Sequence, residues 1–99
     1  MEKQRKTKHN KSSIEERFGN VLKQLRSDKG LSQEELGFES GYHRTYISML
    51  ERGKKSPSLK TIFQLAKALD VEPSKIMDQL QILYANSSSG KNAKNSVKK

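Results

Sequence analysis

The stretch from Gln33 to Arg52 constrains this chain more than any other, because it holds two short helical patterns separated by a single glycine. Helices so close in sequence must cross tightly, and a crossing of that kind demands particular residue types at particular places. Leu36 supplies the inner face of the first. Gly37 is small where the second passes over it, and Gly41 makes the turn. Ile47 and Leu50, three residues apart, pin the second helix to a core.

The same reading extends outward from that pair. Ile14, Phe18, Val21, Leu22 and Leu25 recur at helical spacing and predict a helix over 14–29, stopped by Gly30. Ser32 and Glu35 form a capping box that starts a helix ending near Ser40. A third helix is expected over 43–52, stopping at Gly53. Ser58 caps a fourth, with Leu59, Ile62, Leu65, Ala66 and Leu69 on one face. Asp70 to Pro73 is the next break, and Ile76, Leu80 and Leu83 carry a fifth helix to Tyr84. No strand of convincing length is present. The expected fold is all-α, with five helices over residues 13–84 and the motif at 33–52.

The flanks read differently. Residues 1–12 and 85–99 are polar, lack periodicity and are expected to be disordered basic segments. Each carries a net +4, so most of the formal +9 lies there rather than in the nearly neutral 13–84. Tail charge is weak evidence for any partner. Between residues 44 and 60, however, Arg44, Arg52, Lys54, Lys55 and Lys60 face only Glu51, a local +4 in an otherwise balanced core. That excess points to an anionic partner.

Several function classes are excluded or disfavoured. The chain has no cysteine, so disulfides and thiolate metal sites are absent and a reducing, cytoplasmic setting is expected. No run approaches the roughly 20 apolar residues of a membrane span. The basic N-terminus has no apolar stretch behind it, unlike a secretory signal. His9 and His43 have no companions for a metal site. Glu34, Glu35 and Glu39 read as capping and solvent-facing residues. No nucleophile–base pair or glycine-rich phosphate loop is present, so neither an enzyme nor a cofactor or small-molecule site is expected.

Helical phase selects the outward face of the third helix. With residue 44 at zero and about 100° per residue, Ile47 and Leu50 fall at about 300° and 240°. Opposite lie Arg52 and Thr45, flanked by Ser48 and Met49, with Arg44 and Tyr46 at the edges. Such a strip suits a DNA major groove. Arg44 and Thr45 are the leading candidates for base readout, since arginine bidentate to guanine is the commonest specific contact. Ser48 and Met49 can also approach base edges. For Met49, packing on a thymine methyl and filling a gap stand level. Tyr46 and Arg52 are candidates for phosphate, as is His43 in the first turn. The bland alternative, a solvated polar face, would be the default without the motif.

Leu25-Arg26, the run from Gly30 to Leu36, Tyr46-Ile47-Ser48, the run from Leu50 to Gly53, Pro57-Ser58-Leu59 and the run from Leu65 to Leu69 together carry a resemblance. Residues 18–77 resemble the lambda-repressor-like (Cro/C1-type, XRE) helix-turn-helix family, over about 60 of the 99 residues. Gly37 departs from the pattern, which usually has alanine and so a helix firmer by about 1 kcal/mol. The wording from His43 to Ser48 further resembles controller proteins of restriction–modification systems, although many unassigned regulators share it.

The resemblance implies a transcriptional regulator that binds a palindromic double-stranded DNA operator as a homodimer and blocks or recruits RNA polymerase. It also implies that Gln33 holds a phosphate and braces Arg44, and that Lys54, Lys55 and Ser56 contact the DNA backbone. Arg26 is implied to pair with Glu51, whose phase already places it at the core edge. Beyond its core-facing residues, the fifth helix has Met77, Ile82 and Tyr84, which are expected to supply a dimer surface; ordinary edge packing is the alternative. Two rival readings remain at this point: an antitoxin-type regulator that also masks a partner protein, and a non-specific nucleic-acid or protein interaction module working through its tails.

Overall fold

The structure is a computed structural model and describes residues 13–88, with side chains to residue 84. Among these residues there are five helices and no strand: α1 (Ile14–Lys29), α2 (Gln33–Ser40), α3 (Arg44–Glu51), α4 (Leu59–Leu69) and α5 (Pro73–Ser88). The expectations for residues 1–12 and 89–99 fall outside the described residues.

Local chemistry sets the boundaries. Ser32 accepts the Glu35 amide while Glu35 returns to the Ser32 N–H, so the expected capping box opens α2. A second box, beyond the one expected, pairs Ser13 with Glu16 and opens α1. Ser58 caps α4 by accepting from the Thr61 amide. Gly30 and Gly41 close α1 and α2 in left-handed conformations. Asp70 closes α4 at φ 59°, a conformation a short polar side chain tolerates. We expect Ser32→Ala to lower stability by about 1 kcal/mol; a urea unfolding curve matching wild type would contradict this.

Two boundaries differ from expectation. The third helix is shorter at each end, because His43 serves as its N-cap and Arg52 as its C-cap. The fifth runs to Ser88, into the segment expected to begin a disordered tail at 85. Residues 85–88 contain neither glycine nor proline, and extending an existing helix needs only one hydrogen bond per residue fixed.

The core gathers residues from every helix: Phe18, Val21, Leu22 and Leu25 of α1, Leu36 of α2, Ile47 and Leu50 of α3, Leu65, Ala66 and Leu69 of α4, and Ile76 of α5. Ile14 and Leu59, expected on apolar faces, are instead largely exposed. Each is the first residue of its helix. α3 sits between α2 and α1, α2 also rests on α4, and α5 closes the domain against α1 and α4.

Gly19 and Gly37 set the closest approaches. A Cβ on Gly19 would overlap the Glu51 carbonyl oxygen and lie 2.6 Å from that of Leu50, so α1 rests directly on the backbone of α3. A Cβ on Gly37 would lie 2.6 Å from the Tyr42 carbonyl oxygen. The glycine that departs from the family pattern therefore brings α2 and its turn nearer than an alanine would allow.

Candidate nucleic-acid interface

α3 is amphipathic in the sense required of a helix half-sunk in a protein. Ile47 and Leu50 are fully buried, and Glu51 is buried beside them. On the far side Arg44, Thr45 and Arg52 are exposed, while Ser48 and Met49 are half-buried. Arg44, Thr45 and Ser48 line a shallow polar hollow of about 140 Å³ together with Gln33 of α2. Arg52 Nε donates to Ser48 Oγ at 3.2 Å, linking two residues one helical turn apart. Lys54, Lys55 and Ser56 are exposed on the loop that leaves this end of the helix.

His43 is exposed, and its Nδ1 accepts the Thr45 amide at 3.0 Å. A neutral ring that accepts at Nδ1 carries its proton on Nε2. The cap therefore leaves an outward N–H donor at the start of α3, beside the amides of its first turn.

Beneath this surface lies one carboxylate that gathers three elements. Arg26 of α1 donates to Glu51 twice, Nε to Oε2 at 2.6 Å and Nη2 to Oε1 at 3.0 Å. Its Nη1 also holds the Leu31 carbonyl at 2.8 Å. Gln33 Nε2 adds a bond to Glu51 Oε1 at 2.9 Å. The hydrogen bonding of Arg26 to the Glu51 carboxylate holds the guanidinium above its ordinary pKa, with burial acting the other way.

Gln33 thus has a partner beyond those the resemblance implied. Its amide nitrogen braces the last residue of α3, Glu51, and its side chain shares a hollow with Arg44 of the first turn. The nearly buried carboxylate has more acceptor sites than Arg26 fills, and a charged acceptor makes the stronger bond with the Gln33 amide N–H.

Tyr46, a candidate for phosphate, also makes contacts inside the domain. It is half-buried, with its ring 5.0 Å from that of Tyr42 and tilted to it by 50°. Its hydroxyl is 3.3 Å from Thr61 Oγ1, which also contacts Tyr42 and Ser58. Helical phase puts Tyr46 at the strip's edge, and α4 draws it inward. Neither Tyr42 nor Thr61 stands out in the sequence, since nothing local marks hydroxyls that meet across 19 residues.

Met77, Ile82 and Tyr84 do not form one face. From Ile76 at zero, Met77 and Tyr84 fall at about 100° and 80°, while Ile82 falls at about 240°. Ile82 lies on the opposite flank, in a hollow shared with Asn20, Gln24 and Gln79. Tyr84 lies under the Arg17 guanidinium, 5.0 Å from its ring centre. Among the described residues no cluster of His, Asp or Glu is arranged to hold a metal ion, and no helix is long and apolar enough to cross a membrane.

Comparison with known proteins places this geometry in context. Residues 22–76 match the family described as Helix-turn-helix. The control protein C.BamHI of Bacillus amyloliquefaciens is 47% identical over 62 residues, which is 62% of this chain and 76% of that protein. The crystal structure of the restriction–modification controller C.AhdI from Aeromonas hydrophila superimposes with a TM-score of 0.62 at 48% identity, covering 63% of this chain and 94% of that one. The controller C.Esp1396I, solved as a tetramer with its natural 35-base-pair operator, gives a TM-score of 0.65 at 31% identity, over 71% of this chain and 92% of that one. Solved variants of that controller replace a consecutive arginine, threonine and tyrosine one at a time. The same triplet stands here at Arg44, Thr45 and Tyr46.

Proposed function

Because the chain belongs to the helix-turn-helix family of the Cro/C1 type, we propose that it is a sequence-specific transcriptional regulator of the restriction–modification controller kind, reading operator DNA with α3. One observation carries the assignment of the reading surface. The side of α3 opposite its buried edge presents Arg44, Thr45 and Ser48 around an open polar hollow, in a part of the domain with a local positive excess. A helix so presented fits the major groove, whose base edges match arginine and hydroxyl donors. His43, Arg52, Lys54, Lys55 and Ser56 flank the strip and are assigned to the phosphates on either side, which fix register without carrying sequence.

One α3 spans only a few base pairs, so two copies on half-sites about 10 base pairs apart supply useful specificity. Bound upstream of a gene in the cytoplasm, the dimer occludes or recruits RNA polymerase.

A mobility-shift titration on the DNA immediately upstream of its own gene tests the assignment. Wild type is expected to bind that DNA tightly and to release it as salt rises. Arg44→Ala, at an exposed position, leaves folding intact and weakens binding by about 1–3 kcal/mol per half-site, with relaxed preference at the base it reads. Lys54→Ala weakens binding to all sequences alike and lowers the salt slope by about 0.9 per half-site. An Arg44→Ala protein that retained both affinity and preference would remove α3 from the reading role.

A further inference from the structure

We propose that Thr61 is a positioning residue for DNA binding, whose hydroxyl holds Tyr46 in place while leaving the Tyr46 proton free for a DNA phosphate. Three hydroxyls converge on Thr61 Oγ1. Tyr42 Oη, between α2 and α3, donates to it at 3.2 Å. Ser58 Oγ, at the head of α4, lies 2.9 Å away, and Tyr46 Oη of α3 lies 3.3 Å away. In each of these last two pairs either oxygen can donate. Thr61 is only 3% exposed, so its hydroxyl finds its partners in the protein rather than in water.

Hydrogen-bond capacity gives this group two arrangements, because a hydroxyl has one proton to donate and two lone pairs to accept with. In the first, Thr61 donates to Ser58 and accepts from both tyrosines, which uses the Tyr46 proton inside the domain. In the second, Ser58 donates to Thr61 and Thr61 donates to Tyr46, while Tyr42 donates to Thr61 as before. Thr61 is saturated in both, and Ser58 keeps its cap bond from the Thr61 amide in both. Only the second leaves Tyr46 with its own proton to give. The change turns O–H bonds and moves no heavy atom, so the Tyr46 ring stays packed beside Tyr42.

Ser58 gives the outward direction. It is exposed, and contacts of 2.9 and 3.3 Å lead from it through Thr61 to Tyr46. The Tyr46 hydroxyl therefore sits close to the surface formed by Ser58 and the exposed residues just before it, Lys54, Lys55 and Ser56, and Tyr46 is itself only half-buried. A phosphate drawn there by the lysines accepts the Tyr46 proton and favours the second arrangement, since a hydrogen bond to a charged acceptor is the stronger kind. Hydroxyls in a chain polarise one another, so Thr61 donating to Tyr46 makes Tyr46 the better donor. Thr61 touches no DNA and acts through Tyr46.

This role rests on the operator-binding reading, and the test separates the two. Affinity of the full chain is measured for the DNA upstream of its own gene, intact and with one phosphate at a time replaced by a neutral methylphosphonate. Tyr46→Phe should weaken binding at least about tenfold per half-site, as loss of a hydrogen bond to a charged group does. Thr61→Val, which keeps the side-chain shape, should weaken it about three- to tenfold, and Thr61→Ser should bind within about twofold of wild type. The two losses should not add, because the residues act as one unit. One methylphosphonate position should weaken wild type and leave both variants nearly unchanged, whereas a merely structural role would lower affinity at every position alike. Tyr42→Phe removes a donor that keeps one direction throughout, so it should leave DNA affinity within about twofold. Circular dichroism identifies the variants that are folded; if Thr61→Val is not, the contrast between Tyr46→Phe and Tyr42→Phe decides. A folded Thr61→Val protein that binds as well as wild type, a Thr61→Ser protein that does not recover, or a Tyr42→Phe loss equal to that of Tyr46→Phe overturns the proposal. The expected Thr61 and Tyr46 losses in a protein that binds all sequences alike uphold the proposal and reject the operator reading. Preference for the upstream DNA with Tyr46→Phe indistinguishable from wild type does the reverse.

Discussion

Replacing Glu51 by alanine should destabilise the domain by about 3–5 kcal/mol, the loss expected when one member of a buried ion pair is removed. The side chains concerned are nearly dry, with Glu51 at 3% and Arg26 at 13% exposure, so water screens little of the effect. Removing the carboxylate strands the guanidinium of Arg26 and the amide of Gln33 together. Arg26→Ala strands the carboxylate in turn, and it releases the Leu31 carbonyl as well. The double replacement should therefore cost clearly less than the two single losses added. Urea unfolding of the four proteins measures this coupling; small, additive effects would show that the pair contributes little. A matched apolar pair at 26 and 51 could fold as stably. The distinctive contribution of the charge is registry, since three donors from α1 and α2 converge on the last residue of α3.

The second large effect is expected at Gly19. Valine there drives a branched side chain into the carbonyls of Leu50 and Glu51, which belong to backbone and cannot rotate aside. The expected loss is about 3 kcal/mol, at the upper end for overpacking. Alanine is the sharper variant, because it should strengthen an α-helix interior by about 1 kcal/mol if space allowed. Gly19→Ala should nonetheless melt lower than wild type. A higher melting temperature would show that α1 yields easily and that its contact with α3 is not set by this glycine.

The parts of the fold written in local chemistry are legible from the residues alone. Ser32 with Glu35, Gly30, Gly41, Ser58 and Pro73 are punctuation that acts within one helical turn, and the boundaries they mark are where the structure has them. The one-residue differences at His43 and Arg52 are those between a helix and its caps. Phase likewise separates the buried and open sides of α3. The contacts that local pattern does not reveal depend on distant partners. Gln33 meets Glu51 across 18 residues, and Tyr46 meets Thr61 across 15. Gly19 does carry a local signal, since a glycine inside an apolar helical pattern suggests close approach. The grouping of Met77, Ile82 and Tyr84 fails for a simpler reason. Shared apolar character does not place residues on one face, and their helical phases set Ile82 apart from the other two.

The division of α3 into a braced edge and an open edge has an evolutionary consequence. Ile47, Leu50 and Glu51 hold the helix in place, and Arg44 and Thr45 take no part in that support. If they read bases as proposed, substitutions at those two positions alter which bases are met without drawing on the stability of the fold. A lineage built on this scaffold can therefore drift toward new operators by single exchanges, each leaving a folded protein for selection to act on. Tyr46, immediately next along the chain, has no such freedom, because its ring and hydroxyl are committed to Tyr42 and Thr61.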